Sequence, residues 1–229
     1  MALPSENKDC YASKAQREVL LHLITNPDIE KTFFLTGGTA LSVFYLHHRI
    51  SNDLDFFTLE REQLSEIDFW IRREWVNECT KLKEGPHFLS LMIREVKVDF
   101  VIDPLSIAES RFKFHFENGH TLLLDTIDNI VSNKFCTLVS RTEPKDFIDF
   151  YFIQKMLNES NIEQIYKNAK KKDAIFEDVP TVAFQIEEGL KFLRDNERVI
   201  PLLTKSFSRE DFYHFYDGLI KWLYKQVSF

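Results

Sequence analysis

The sequence predicts an α+β fold: a small mixed β-sheet backed by helices, followed by a mainly helical second part. Three observations carry that expectation. Short apolar runs with strand-like alternation fall within residues 33–103, interleaved with stretches of helical periodicity. Beyond residue 126 the apolar residues recur at helical spacing. The composition is that of an ordered chain, with 44 % hydrophobic and 14 % aromatic residues, 22 of them Phe, against only six Gly and seven Pro. A chain of 229 residues holds one large domain or two small ones, and buries roughly 70 % of its unfolded surface. No linker-like composition marks a division, so the change of periodicity places it, at residues 1–122 and 123–229.

The elements follow in order. Residues 13–25 put Val19, Leu20, Leu23 and Ile24 on one helical face, and Asn26-Pro27 stops that helix. Phe33, Phe34 and Leu35 make a short buried strand. Gly37-Gly38 turns it into a helix of about two or three turns, through Leu41, Phe44 and Tyr45. His47, His48 and Arg49 fall in its last turn, where positive charge suits the helix dipole. After a turn at Ser51-Asn52, residues 53–57 alternate as a strand, Asp53 and Asp55 on one face and Leu54 and Phe56 on the other. Residues 62–79 form an amphipathic helix with Leu64, Ile67, Ile71, Trp75 and Val76 along one stripe. Beyond Gly85-Pro86, two strands joined at Arg94-Glu95 make an antiparallel hairpin. On the second of these, Val96, Val98, Phe100 and Ile102 share one face, and Lys97, Asp99 and Val101 the other. Further helices cover 126–141, a stretch opening at Pro144, a stretch near 163–172, then 181–195 and 209–226, the last with a capping-box start.

Charge and cysteine usage exclude several classes. With 36 acidic against 29 basic residues and a formal charge of −7, the chain has no general basic coat, so generic duplex DNA binding is not expected. Cys10, Cys79 and Cys136 are far apart with no CxxC pair, which fits reduced thiols in a cytoplasmic protein better than a disulfide frame or a zinc site. The N-terminus has no apolar leader and no run approaches membrane-spanning length, so secretion and membrane insertion are disfavoured.

The chemistry concentrates between Gly37 and Asp55. Carboxylates at i and i+2 on a strand stand roughly 7 Å apart at Cα and can converge on one cation. A strand that ends in glycines and opens a helix presents backbone N–H groups at the positive end of the dipole, an anion site. The same helix leads directly to the acidic strand, and Asp99, flanked by apolar neighbours, should lie on a strand beside it. Three carboxylates on adjacent strands suit Mg²⁺, which keeps waters and substrate phosphates as its other ligands. Each piece also has an ordinary explanation: a solvated edge strand, a plain tight turn, a surface ion pair of Asp99 with Lys97 or Arg94. His47 and His48 are adjacent on a helix and point about 100° apart, which argues against a joint ligand role. The aromatic run of Phe212, Tyr213, Phe215, Tyr216, Trp222 and Tyr224 suits core packing better than stacking on a base.

The pattern G-G-T, a gap, D-L-D-F and then an Asp between apolar residues resembles the nucleotidyltransferase superfamily with the polymerase-beta-like core. Within it, GGTALSVFYLHHRISNDLDFF is similar to the AbiEii/AbiGii toxin family, and NKFCTLVSRTEPKDFIDFYFI to that family's second block. The resemblance covers about residues 33–155. It implies an enzyme that moves NMP from an NTP to a hydroxyl or phosphate acceptor and releases pyrophosphate. Gly37, Gly38 and Thr39 would hold the triphosphate, with Arg49 and Ser51 as nucleotide or phosphate contacts. Asp53 and Asp55 would bind Mg²⁺, two ions when NTP is present, with Asp99 as third ligand and general base. Lys134 and Lys145 would contact phosphate, organised by Asp146 and Asp149. Lys134, Arg141, Lys145 and Asp149 recur at seven, four and four residues, approximately one helical face if the break at Pro144 is mild. The superfamily shows a G-S or a G-G step; this chain has the second, so Thr39 must supply any hydroxyl.

The resemblance further implies a helical part packed on the core that lends basic residues to the active-site cleft. The acceptor would be tRNA, another RNA, a protein or a small molecule. An RNA would be met by Lys134, Arg141, Lys145 and Lys170 to Lys172. A cognate antitoxin would be the protein partner, in a bacterial toxin–antitoxin or phage-defence system. Two other functions keep the same core: a catalytically silent nucleotide-binding module, and a transferase that modifies small molecules such as antibiotics.

Overall fold

The structure is a computed structural model that describes residues 3–60, 64–107, 110–157, 161–196 and 200–226. The chain forms two compact units, Met1–Ile127 and Asp128–Phe229. The expected division after residue 122 would cut a strand, so it moves to the start of the first long helix of the second unit.

The first unit opens with a 3-10 turn, Lys8–Cys10, and helices α1 (Lys14–Leu23) and α2 (Pro27–Thr32). Strand β1 (Phe34–Thr36) then runs into α3 (Gly37–Thr39), which continues as a π-helix over Ala40–Leu46. Next come β2 (Leu54–Thr58), α4 (Leu64–Glu74), β3 (Cys79–Gly85), β4 (Phe88–Ile93), β5 (Val96–Ile102), β6 (Phe112–His115) and β7 (Thr121–Leu124). All seven strands form one mixed sheet, in the order β3-β4-β5-β2-β1-β7-β6. β2 is central, antiparallel to β1 and parallel to β5. Its inward side chains join the core, where Phe56 stacks on Phe100 of β5 at 5.4 Å between ring centres.

The predicted β1 and β2 each lie one residue further along than expected, which leaves Asp53 just ahead of its strand. The hairpin turn at Arg94-Glu95 is confirmed: both residues are left-handed, at φ 48° and 63°, the backbone that a two-residue primed turn requires. Three strands were not anticipated. β3 is an edge strand of mostly polar residues with a register shift between Lys81 and Lys83, so it carries no clean alternation. β6 and β7 are four residues each, too short for periodicity to show. The helix expected over 62–79 ends earlier, because Asn77 turns left-handed at φ 65° and Cys79 opens β3. Val76, expected on its apolar stripe, is 65 % exposed.

The wide coil after Gly37 is also a departure from the expected helix. Its amide from His47 returns to the Ser42 carbonyl, five residues back. The amides of Asn7 and Ser5 take the carbonyls of Val43 and Phe44 at 2.9 and 3.0 Å, so the N-terminal segment occupies acceptors of this coil.

The second unit is helical: α5 (Ile127–Ser140, its first residue closing the first unit), α6 (Pro144–Met156), α7 (Ile162–Lys170), a 3-10 turn (Ala174–Glu177), α8 (Val179–Asp195) and α9 (Arg209–Gln226). Asp178 caps α8 by accepting from the Thr181 amide, and Ser208 accepts from the Asp211 amide at the start of α9. Phe135, Phe147, Phe150, Phe176, Phe212 and Tyr216 are fully buried here. Each such side chain contributes about 1.5–3 kcal/mol of apolar burial. Phe212 and Tyr216 of the aromatic run are therefore core, whereas Tyr224 is 42 % exposed. Among the described residues, no helix is long and apolar enough to cross a membrane.

Candidate active site

The glycine turn and the acidic strand meet in space. Gly37 has φ +67°, and a Cβ there would lie 2.3 Å from Asp55 Oδ2. A Cβ on Gly38 would lie 2.5 Å from a guanidinium nitrogen of Arg49 and 2.9 Å from Ser51 Oγ. Both positions therefore need glycine, the first for its backbone and both for close approach. Thr36 starts the helical segment without capping it by its side chain, its hydroxyl donating instead to Asp125 Oδ2 at 2.6 Å. The first-turn amides after Gly37 are thus not met by a side-chain cap, as an anion site requires.

The carboxylates stand as the alternation predicted. β2 and β5 pair in parallel with Asp55 opposite Asp99, while Leu54, Phe56, Val98 and Phe100 are fully buried on the opposite face. Asp99 accepts from Ser90 Oγ, and its other oxygen lies 2.5 Å from Lys97 Nζ. The ion pair weighed as an ordinary explanation is thus present, through Lys97; Arg94 pairs with Glu78 at 3.1 Å instead. Burial acts to lower the Lys97 pKa, but the hydrogen bond to Asp99 and the charges of Asp99, Asp53 and Asp55 outweigh it and hold the ammonium above its ordinary value. Among the described residues, no three His, Cys, Asp or Glu side chains gather into a metal cage. The donor set still suits Mg²⁺, because Asp55 and Asp99 offer hard oxygens on adjacent strands. A lysine that feels all three acids also marks the place as one that takes positive charge.

The side chains of Thr39, Arg49 and Ser51 around Gly38 are buried. The Thr39 hydroxyl is fully buried, donates to the Asp53 carbonyl and lies 3.0 Å from Ser51 Oγ. It ties the helix to the acidic strand and is not presented to a phosphate. Arg49 and Ser51 are 3 % and 4 % exposed and pack against Gly38, with Arg49 donating to the Ile50 carbonyl at 2.8 Å. They position the turn. Gln16 of α1 was missed altogether. Its buried amide nitrogen reaches Thr39 Oγ1 at 3.3 Å and the Asp53 carbonyl at 3.4 Å, and its oxygen accepts from the Ala12 amide. Nothing in a single glutamine on a helix signals that contact. Ser90, brought beside Asp99 by the β4–β5 register, was equally silent.

The second block makes its own cluster within the helical unit. Lys134 Nζ lies 2.7 Å from both Asp146 Oδ1 and Asp149 Oδ2; the lysine side chain is 8 % exposed and both aspartates 0 %. Arg141 adds bonds of 2.8 and 3.3 Å to Asp146. Burial opposes charge on Asp146, but Lys134 and Arg141 prevail and hold its carboxyl below the usual range. Burial, with Asp149 and Asp146 nearby, pushes the Tyr216 hydroxyl far up. Lys145 is more open to solvent than Lys134. It lies beside Pro144 at the start of α6, pairs with Glu143 at 3.1 Å and is 38 % exposed. The basic patch expected for RNA is also largely engaged, Lys170 with Glu177 at 2.6 Å and Lys172 with Asn129 and Asn133.

Comparison with known proteins gives four likenesses. The model of a family described as "Nucleotidyl transferase AbiEii toxin, Type IV TA system" matches residues 18–211. Uncharacterized protein aq_aa25 of Aquifex aeolicus is 26 % identical over 159 residues, covering 69 % of this chain and 74 % of that protein. Among solved structures, a proposed nucleotidyltransferase from H. pylori aligns with TM-score 0.60 at 18 % identity, over 93 % of this chain and 96 % of its own. JHP933 from Helicobacter pylori aligns with TM-score 0.58 at 16 % identity, over 97 % and 94 %. At such identities the two structures establish a shared fold.

Proposed function

This chain belongs to the AbiEii nucleotidyl transferase toxin family and is a nucleotidyltransferase, and on that premise we propose how its first unit does the chemistry. Asp53, Asp55 and Asp99 hold Mg²⁺, and the amides of the Gly37-Gly38 turn receive the triphosphate of an NTP. The bound metal supplies charge neutralisation for the attacking and leaving oxygens. An acceptor oxygen attacks the α-phosphorus, the α–β phosphoanhydride bond breaks, and pyrophosphate leaves with that bonding pair. Asp99 receives the proton of the acceptor hydroxyl. Thr39, Ser51, Arg49 and Gln16 keep the glycine turn and the acidic strand in register, so that most of the catalysis is alignment and electrostatics. The observation that carries this reading is the meeting of Asp55 with Asp99 across β2–β5 and with Gly37, too close for any side chain there.

In the cell we place the protein in the cytoplasm, as a toxin restrained by a cognate antitoxin; the family's description as a type IV toxin system supports this. The acceptor class to test first is a tRNA, with cell extract supplying other RNAs, proteins and small molecules. Purified protein is incubated with each α-labelled NTP, Mg²⁺ and either acceptor source. Label is expected to move to one acceptor and to stay unreacted with Asp53→Ala. A set of mixtures with no labelled product, or full activity in Asp53→Ala, would overturn the proposal. Arrest of growth on expression, relieved by the product of an adjacent gene, tests the cellular role.

A further inference from the structure

We infer that Lys97 is a built-in counter-ion of the acidic site, which an entering divalent cation displaces from Asp99. The inference rests on the proposal that Asp53, Asp55 and Asp99 hold the metal, and it adds what keeps Asp99 in order before a cation enters.

Three charged side chains, Asp55, Lys97 and Asp99, share one face of two adjacent strands. Leu54 pairs with Val98 and Asp55 with Asp99. Lys97 precedes Val98 within β5, so strand alternation puts it on the side of Asp99, and Asp53, just ahead of β2, is close enough for its charge to act on Lys97. Carboxylates gathered on one face repel one another, and Lys97 is a positive charge that the chain places against Asp99. It does so at the cost of access to Asp99. One carboxylate oxygen takes the Ser90 hydroxyl, and the other takes the ammonium at 2.5 Å. A metal that uses Asp99 must therefore take the lysine's place.

The exchange is inexpensive. The Lys97 side chain is 40 % exposed and Asp99 23 %, and an ion pair so open to water is weak. The flexible four-carbon stem lets the ammonium leave while it stays tethered two residues from Asp99. A lysine released there is a point charge suited to a phosphate oxygen. The same residue thus opposes metal entry alone and favours metal entering together with a nucleotide.

The test uses the full chain and reads bound Mn²⁺ by the loss of the free-ion paramagnetic resonance signal, with no turnover involved. Lys97→Met is expected to bind Mn²⁺ roughly tenfold more tightly than the unaltered protein, the effect of removing one nearby like charge. Lys97→Arg should retain the weaker affinity, and Asp55→Asn should bind poorly. With a non-hydrolysable NTP analogue present, the advantage of Lys97→Met should shrink or reverse. Lys97→Gln serves as a second neutral variant if Lys97→Met folds poorly, judged by its melting curve. Equal Mn²⁺ affinities in the unaltered protein and both neutral variants, or tight binding in Lys97→Arg as well, would overturn the counter-ion role while leaving the metal site standing. Failure of all of them to bind Mn²⁺ would remove the metal site and the inference together.

Discussion

Each unit of this chain joins lysine to aspartates, and the two clusters differ mainly in burial. In the helical unit Lys134 lies between Asp146 and Asp149, all three nearly or wholly out of water. In the sheet unit Lys97 meets Asp99 with both side chains partly open to solvent. Charges that are deeply buried must stay paired, because a lone one cannot recover its lost hydration. Charges at a half-open face can change partners, because water and ions stand ready to replace them. The first arrangement is suited to holding helices in place, the second to receiving a cation and a substrate.

Mutations should separate these roles. The largest effect is expected at the open cluster and on activity: Asp55→Asn should lower nucleotidyl transfer by about 10³-fold, with a melting temperature close to that of the unaltered protein. A matching fall in stability would mean that Asp55 is structural after all. At the closed cluster the order reverses. Lys134→Met leaves two fully buried carboxylates without their lysine and should cost about 3–5 kcal/mol in urea unfolding, whereas Lys97→Met should cost less than about 1 kcal/mol. Similar costs for the two would erase the contrast. Gly37→Ala comes next, because a left-handed alanine and its contact with Asp55 together cost about 1–3 kcal/mol. Loss of activity at this position should accompany a loss of stability, unlike at Asp55.

The gentlest effect is that of acid. The Asp146 carboxyl titrates lower in the folded protein than in the unfolded chain, so its contribution to stability is fully present above its unfolded value of about 3.9. That contribution is lost as pH falls from there through the depressed folded value. The urea midpoint should therefore hold down to about pH 4 and decline below it. In Lys134→Met the decline should start at higher pH, because burial then raises the same carboxyl with Arg141 alone opposing it. Identical profiles would show that the lysine does not hold Asp146 ionised.

Much of this was legible in the residues themselves. Alternation placed Asp53 and Asp55 on one side of a strand and Asp99 with Lys97 on one side of another; Asp55, Lys97 and Asp99 hold these places in the sheet, while Asp53 lies just ahead of its strand. The glycine pair announced a turn that only glycine can make, and the contacts at Gly37 and Gly38 supply the reason. The strands that escaped notice are short or polar edge elements, β3, β6 and β7, whose existence depends on a neighbour to pair with. Lys145 was grouped with Lys134 by spacing; in the structure it pairs with Glu143 at the start of α6.

Sequence by itself determined the local chemistry: which residues are acidic, which face of a strand they take, and where glycine frees a backbone for an anion. These follow from periodicity and steric freedom, which act over a few residues and leave their mark in the order of the chain. Only the tertiary structure decided which partners those groups have. That Thr39, Arg49 and Ser51 are buried supports of the turn, that Gln16 and Ser90 reach the acidic strands, and that Lys97 stands among the carboxylates all depend on contacts between distant segments. Long-range pairing sets burial, and burial decides whether a lysine beside an aspartate is a fixed brace or an exchangeable ion.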